Sequence, residues 1–266
     1  MRYLVETALL THGLRSVTNE EIKKVWKSKG KNLVWIVKGE IVIGDIDEYL
    51  AFRWSTRIES VLRINSKDLE QALESGATGA LTASGTMAVC QKLGISFAVT
   101  CGIGGIGAMH GGKPSPDLLA LAELPVTLVT TGPKDMLERQ ETIKWLQEHK
   151  IPVFGVKREY CTGYIFVGEK IFLDGIYKKN QKLPALIINE ISEKERIQDW
   201  SILEAAIVEG EKAEKEGKHY HPAVNGRLDE LTEGYSSQIQ LNSLWENALY
   251  AGNYEKYNGF CRKDDL

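Results

Sequence analysis

VTLVTTGPKDMLERQETIKWLQEHKIPVFGV, residues 126–156, holds two short apolar runs separated by a helix-length stretch. VTLVT (126–130) and IPVFGV (151–156) are continuous rather than alternating, as in strands covered on both faces. Residues 134–148 between them read as a helix. SFAVT (96–100) and ALIIN (185–189) repeat the buried-strand pattern. LVWIV (33–37) and IVI (41–43) flank Lys38-Gly39-Glu40, a hairpin signal. Further helices are expected over 18–28, 67–74, 82–93, 117–123, 200–213, 221–232 and 236–250. Thr18 with Glu21 three positions on forms a capping box at the first of these. Strands alternating with helices of this length predict an α/β fold, a three-layer α/β/α architecture with a central mixed, largely parallel sheet. Residues 1–253 are expected to form a single domain, with 254–266 a polar tail. EGEKAEKEGKHYH (209–221) reads as a charge-rich solvated connection, and 162–173 as hairpin-like.

Composition narrows the function classes. The chain has 266 residues, 43% of them hydrophobic and 26% charged, enough to bury a core without staples. A net charge of −3 argues against bulk nucleic-acid or membrane-surface binding. Cys90, Cys101, Cys161 and Cys261 are widely spaced, without a C-x-x-C, and read as reduced thiols. The N-terminal apolar run contains Glu6 and lacks a cleavage-site pattern, so no signal peptide is expected. No stretch is apolar enough for a membrane span. The expected compartment is the cytosol.

Three segments carry chemistry. TCGIGGIGAMHGGKPSPD (100–117) follows a strand and concentrates glycines beside His110, Lys113, Ser115 and Asp117. Gly102, Gly104 and Gly107 match G-x-G-x-x-G, but Pro114 and two glycines stand where a dinucleotide-binding helix would run. A glycine-rich loop at a strand's carboxyl end permits close backbone approach to a ligand. In the second segment Gly132-Pro133 ends a strand and Lys134 is expected to open a helix. The partial positive charge of a helix start, with any burial, lowers a lysine pKa and favours the neutral amine that Schiff-base chemistry requires. The alternative is an ordinary exposed lysine. In the third, VETALLTHGL (5–14), Glu6 interrupts a strand-like run that His12-Gly13 closes. It is either a functional buried carboxylate or a residue facing solvent from an edge strand. His12 is read as a packed or turn histidine, and His149, His219 and His221 as surface residues.

These segments, with GATGALTASGTMAV (76–89), WLQEHKIPVFGV (145–156) and HPAVNGRLDELTEG (221–234), occur in an order that resembles the pseudouridine-5′-phosphate glycosidase family, also labelled indigoidine synthase A-like. The resemblance spans most of residues 3–252. It implies a C-glycosidase that reversibly converts pseudouridine 5′-phosphate and water into uracil and ribose 5-phosphate. It places the Schiff-base lysine at Lys134, the catalytic carboxylic acid at Glu6 and the loop histidine at His110. A manganese-binding aspartate falls on Asp117, and a phosphate-contacting serine on Ser115. Arg63, Lys113, Thr100 and Gln240 are implied to surround the substrate. One Mn²⁺ per subunit and a homotrimer are also implied.

Several positions depart from the family pattern. A family lysine is replaced by Arg63, which keeps a phosphate-binding charge but cannot shuttle protons at neutral pH. The segment between loop histidine and metal aspartate is shortened, and an asparagine near the C-terminus aligns with Gln240. The same imine chemistry on another base or sugar phosphate, as a C-glycoside lyase or synthase, is therefore kept as an alternative. So is a non-catalytic nucleotide-binding relative.

Overall fold

A computed structural model describes residues 3–258 apart from 15, 56–60, 108–111, 179–180, 182 and 218–219. In chain order the strands are β1 (Tyr3–Val5), β2 (Leu33–Val37), β3 (Glu40–Gly44), β4 (Leu62–Ile64), β5 (Gly79–Leu81), β6 (Phe97–Val99), β7 (Gly102–Ile103), β8 (Thr127–Thr130), β9 (Gly132–Pro133), β10 (Val153–Gly155), β11 (Tyr160–Cys161), β12 (Ile171–Phe172) and β13 (Leu186–Ile188). The α-helices are α1 (Asn19–Val25), α2 (Ile46–Ser55), α3 (Leu69–Glu74), α4 (Ala83–Lys92), α5 (Pro116–Glu123), α6 (Arg139–Glu148), α7 (Trp200–Lys215), α8 (Tyr220–Leu231) and α9 (Tyr235–Asn258). Nine strands form one sheet in the order β10-β13-β8-β6-β1-β2-β5-β4, with β3 also paired to β2. The pairs are parallel except β2–β3 and β2–β5.

The period-two rule divides the core. Val5, Leu33, Trp35, Val99, Val129 and Ile187 pack on one face with Ile22 of α1, Tyr49 of α2, Leu203 of α7, Val224 of α8 and Leu244 of α9. Their strand neighbours Leu4, Val34, Ile36, Ala98, Leu128 and Leu186 pack on the other with Leu69 of α3, Met87 of α4, Leu118 of α5 and Ile143 of α6. The expected three-layer α/β/α architecture with a mixed, mostly parallel sheet is thus the observed one. Each large aliphatic side chain so buried contributes about 1.5–3 kcal/mol. A one-residue slip of a strand would exchange the two sets, which fixes register.

Local signals explain many helix starts. Thr18 and Glu21 make the reciprocal capping box of α1. Thr82 caps α4, and Ser115 caps α5 ahead of Pro116 in its first turn. Other readings need correction. Residues 9–13 form a π-helical turn, not a strand continuation. Arg53 stabilises that turn and the chain after it, donating to the carbonyls of Leu10, Leu14 and Val17 and to the Asn19 side chain. The stretch read as a solvated connection is helical up to Lys215 and again from Tyr220. The last helix runs to Asn258, into the expected tail, and residues 259–266 lie outside the described residues. No helix among the described residues is long and apolar enough to cross a membrane.

Arg53→Met should leave three buried carbonyls and one amide oxygen without their donor. We expect a loss of at least about 1–3 kcal/mol, the cost of leaving a buried acceptor unsatisfied, in urea unfolding, with little change in the slope against denaturant.

Candidate active site

The carboxyl ends of the central parallel strands β1, β6 and β8 meet at one cleft, where open α/β sheets place ligands. Glu6, the residue after β1, lines it, and its backbone N–H donates to Val99 at 3.0 Å. Thr100, the residue after β6, is fully buried and donates its hydroxyl to Glu6 Oε1 at 2.7 Å. The Thr100 carbonyl in turn accepts from the Asn247 amide of α9, which also donates to Thr131 after β8. Glu6 itself is only 6% exposed. It therefore follows a central strand and not a solvated edge.

Lys134 reaches the same cleft by a route different from the expected one. It does not open a helix, because α6 starts at Arg139. Gly102-Ile103 and Gly132-Pro133 instead pair as the short parallel strands β7 and β9. The Lys134 N–H continues the ladder by donating to Ile103 at 3.2 Å. Asp135 then turns inward, and its carboxylate accepts from the backbone N–H groups of Tyr164, Ile165 and Phe166 at 2.8–3.0 Å. With these contacts residues 134–138 remain in turns, so the helix-start field cannot act on Lys134. Sequence reading missed Asp135, although a buried-side acidic residue directly beside a candidate lysine was its one signal.

The glycine loop is shaped by close approach. A Cβ on Gly102 would sit 2.7 Å from the Tyr164 ring and 3.1 Å from Lys134 Cγ. One on Gly104 would sit 2.7 Å from Ser115 Oγ and 3.2 Å from Asp117 Oδ2. Asp117 closes the loop onto the neighbouring helix by accepting from Gly104 N at 2.8 Å and Ser84 N at 3.0 Å.

Burial dominates the electrostatics. It raises the Glu6 carboxyl above the ordinary carboxylate range, opposed by the Thr100 hydrogen bond and by the Lys134 charge. It lowers the Lys134 ammonium, and the Arg63 cation lowers it further, against the attraction of Asp117 and Glu6. Behind them Cys101 shares contacts with Tyr164 Oη at 2.8 Å and Ser243 Oγ at 2.9 Å. Burial pushes its thiol up to about 12. Gln240 accepts from Tyr164 Oη at 3.2 Å and donates to the Ser236 carbonyl.

The structure therefore brings Glu6, Arg63, Ser115, Asp117, Lys134 and Gln240 to one cleft, with Thr100 directly behind Glu6. Lys113 is exposed and is not among the lining residues. His110 lies outside the described residues, as does His219. His12 and His221 line the cleft, which corrects the surface reading of His221. His149 is exposed and stacks on Trp145, as a surface residue.

The model of the indigoidine synthase A like protein family matches residues 4–254. The chain belongs to this family. A pseudouridine-5′-phosphate glycosidase of Roseobacter denitrificans is 28% identical, across 93% of this chain and 87% of that protein. One from Thermotoga neapolitana is 27% identical, across 93% and 92%. Two solved structures share the fold, each 24% identical over 95% of this chain. They are an indigoidine synthase A-like protein from Thermotoga maritima (TM-score 0.79, 91% of that chain) and the prealnumycin C-glycosynthase AlnA in complex with ribulose 5-phosphate (TM-score 0.75, 90%).

Removing the Arg63 charge removes repulsion on the Lys134 ammonium, so the ammonium should persist to higher pH. In Arg63→Met, reductive labelling of Lys134 by a small uncharged aldehyde should show its acidic fall-off displaced upward in pH. An unmoved profile would mean that Arg63 does not act on the amine.

Proposed function

We propose that this chain is an enzyme that cleaves the carbon–carbon glycosidic bond of pseudouridine 5′-phosphate, giving uracil and ribose 5-phosphate through an imine on Lys134. The observation that carries the reading is the meeting of Lys134, Glu6 and Asp117 in one cleft, with the amine pKa lowered and the acid pKa raised. The relatives named as pseudouridine-5′-phosphate glycosidases support the substrate.

A carbon-linked base offers no heteroatom whose protonation alone would release it, so two-carboxylate glycosidase logic does not transfer. In the proposed path Glu6 gives its proton to the ring oxygen as the C1′–O4′ bond breaks. The neutral Lys134 amine bonds C1′ and loses a proton. When the base carbon takes up a proton, the C1′–C5 bond breaks. The nitrogen lone pair then forms the C1′=N bond, and water hydrolyses this imine to the aldehyde of ribose 5-phosphate and the free amine. Glu6 serves each proton transfer in turn.

The expected Mn²⁺ would rest on Asp117. Among the described residues no group of three or more His, Cys, Asp and Glu side chains could cage a metal. Both Asp117 oxygens already accept a backbone N–H. Each oxygen keeps a further lone pair, so Asp117 fits an ion held by one carboxylate and water, which would supply positive charge to order the substrate.

Borohydride added with ribose 5-phosphate should label Lys134 in peptide mapping, and no label would remove the imine. Glu6→Gln should lower uracil release from pseudouridine 5′-phosphate by about 10²–10⁴-fold. Near-normal turnover would remove Glu6 from the chemistry.

A further inference from the structure

The cleft has two unlike walls. One is built from Arg63, Asn65, the cap Thr82 and the first residues of α4, Ala83 and Ser84. The other is built from His12 in the π-helical turn and from His221 and Asn225 on α8. Among the described lining residues the lysine and arginine side chains are Lys134, at the reacting centre, and Arg63. A dianionic phosphate is therefore best placed at the Arg63 wall, against the guanidinium. With C1′ at Lys134, the π-turn and α8 wall is left for the aglycone.

Asn225 is the distinctive member of that wall. It is half-buried, lines the cleft, and its amide has no hydrogen-bond partner among the described residues. A Cβ on Gly13 would sit 3.8 Å from its Nδ2, an ordinary contact distance, so the amide lies beside the π turn. A carboxamide presents a donor and an acceptor side by side, the complement of a carbonyl next to a ring N–H.

Resting on the imine reading for the position of C1′, we propose that Asn225 reads the aglycone. It pairs its amide with the adjacent carbonyl and N–H of a planar pyrimidine-type base, with His12 and His221 flanking that edge. The class accepted is thus a carbon-linked aglycone with an amide or imide edge, and the class disfavoured is an apolar aromatic one. A site built to hydrogen-bond a substrate group discriminates against an analogue that lacks it, because its own polar groups are then left unpaired.

The test is calorimetric, in a Lys134→Ala background so that no substrate turns over. Asn225→Leu and Asn225→Asp should each weaken binding of pseudouridine 5′-phosphate about fivefold or more, and leave ribose 5-phosphate binding within about twofold. Retained ribose 5-phosphate binding also shows that the variants fold. Equal weakening of both ligands would place Asn225 at the sugar phosphate and overturn the proposal, and so would no weakening of either. Borohydride labelling of the Lys134-containing protein reads the imine separately. Selective loss of base binding without a label would sink the imine and keep the base contact, and a label without selective loss would do the reverse.

Discussion

Everything at the cleft depends on a two-residue backbone ladder. Gly102-Ile103 and Gly132-Pro133 begin three and two residues beyond the ends of β6 and β8, where the chains could diverge, and they pair instead. The sheet is thereby prolonged for one step past its main body. That step carries Lys134 to the side chains of Glu6 and Asp117, which come from the residue after β1 and from the first turn of α5. A side chain at Gly102 would collide with the Tyr164 ring and Lys134, so the pairing and the lysine position are parts of one constraint. Asp135 completes it. One buried carboxylate gathers three consecutive backbone N–H groups of the 164–166 turn, and so fixes Tyr164 and Lys134 relative to each other.

Burial then shifts both proton equilibria. Glu6 and Lys134 attract one another, and taken alone that attraction would favour carboxylate and ammonium. Desolvation is the larger influence on both and favours the neutral forms. Arg63 tips the balance unequally, since its charge disfavours the ammonium and favours the carboxylate. A neutral amine beside an acid that holds its proton is the combination needed for attack on an electrophilic carbon with proton delivery. Both groups are shifted toward that combination by the withholding of water, rather than by a field from a helix start.

The sheet was legible because its signal is local. Continuous apolar strands at 97–99, 127–130, 153–155 and 186–188 need both faces covered, and the amphipathic stretches between them supply the cover. Ser115-Pro116 and the Thr18–Glu21 pair mark helix starts for the same reason. The start of α6 was misplaced because Pro133 suits a first helical turn in any sequence window. What prevents the helix is the contact of Asp135 with residues 29–31 positions away. The π-helical turn at 9–13 was hidden likewise, since the Arg53 guanidinium that satisfies its carbonyls comes from about 40 residues later. Long-range polar contacts of this kind leave no periodicity in the sequence.

The same distinction explains which site residues could be read and which could not. Glu6, Asp117 and Lys134 lie within three segments whose composition is unusual in itself: a carboxylate in an apolar run, a dense glycine loop, and a lysine after Gly-Pro. His221 ends the stretch whose charge pattern reads as solvated and Asn225 lies in the expected helix 221–232, and α8 turns them into the cleft because Val224 and Leu228 on the same helix are buried in the core. With the buried positions 220, 224 and 228 directed inward, 221 and 225 each come one position after 220 and 224, at the same i, i+4 spacing. That places them at the margin of the buried face, where a polar side chain can meet a ligand without leaving the helix surface. The polar wall of the cleft is thus a by-product of how α8 packs.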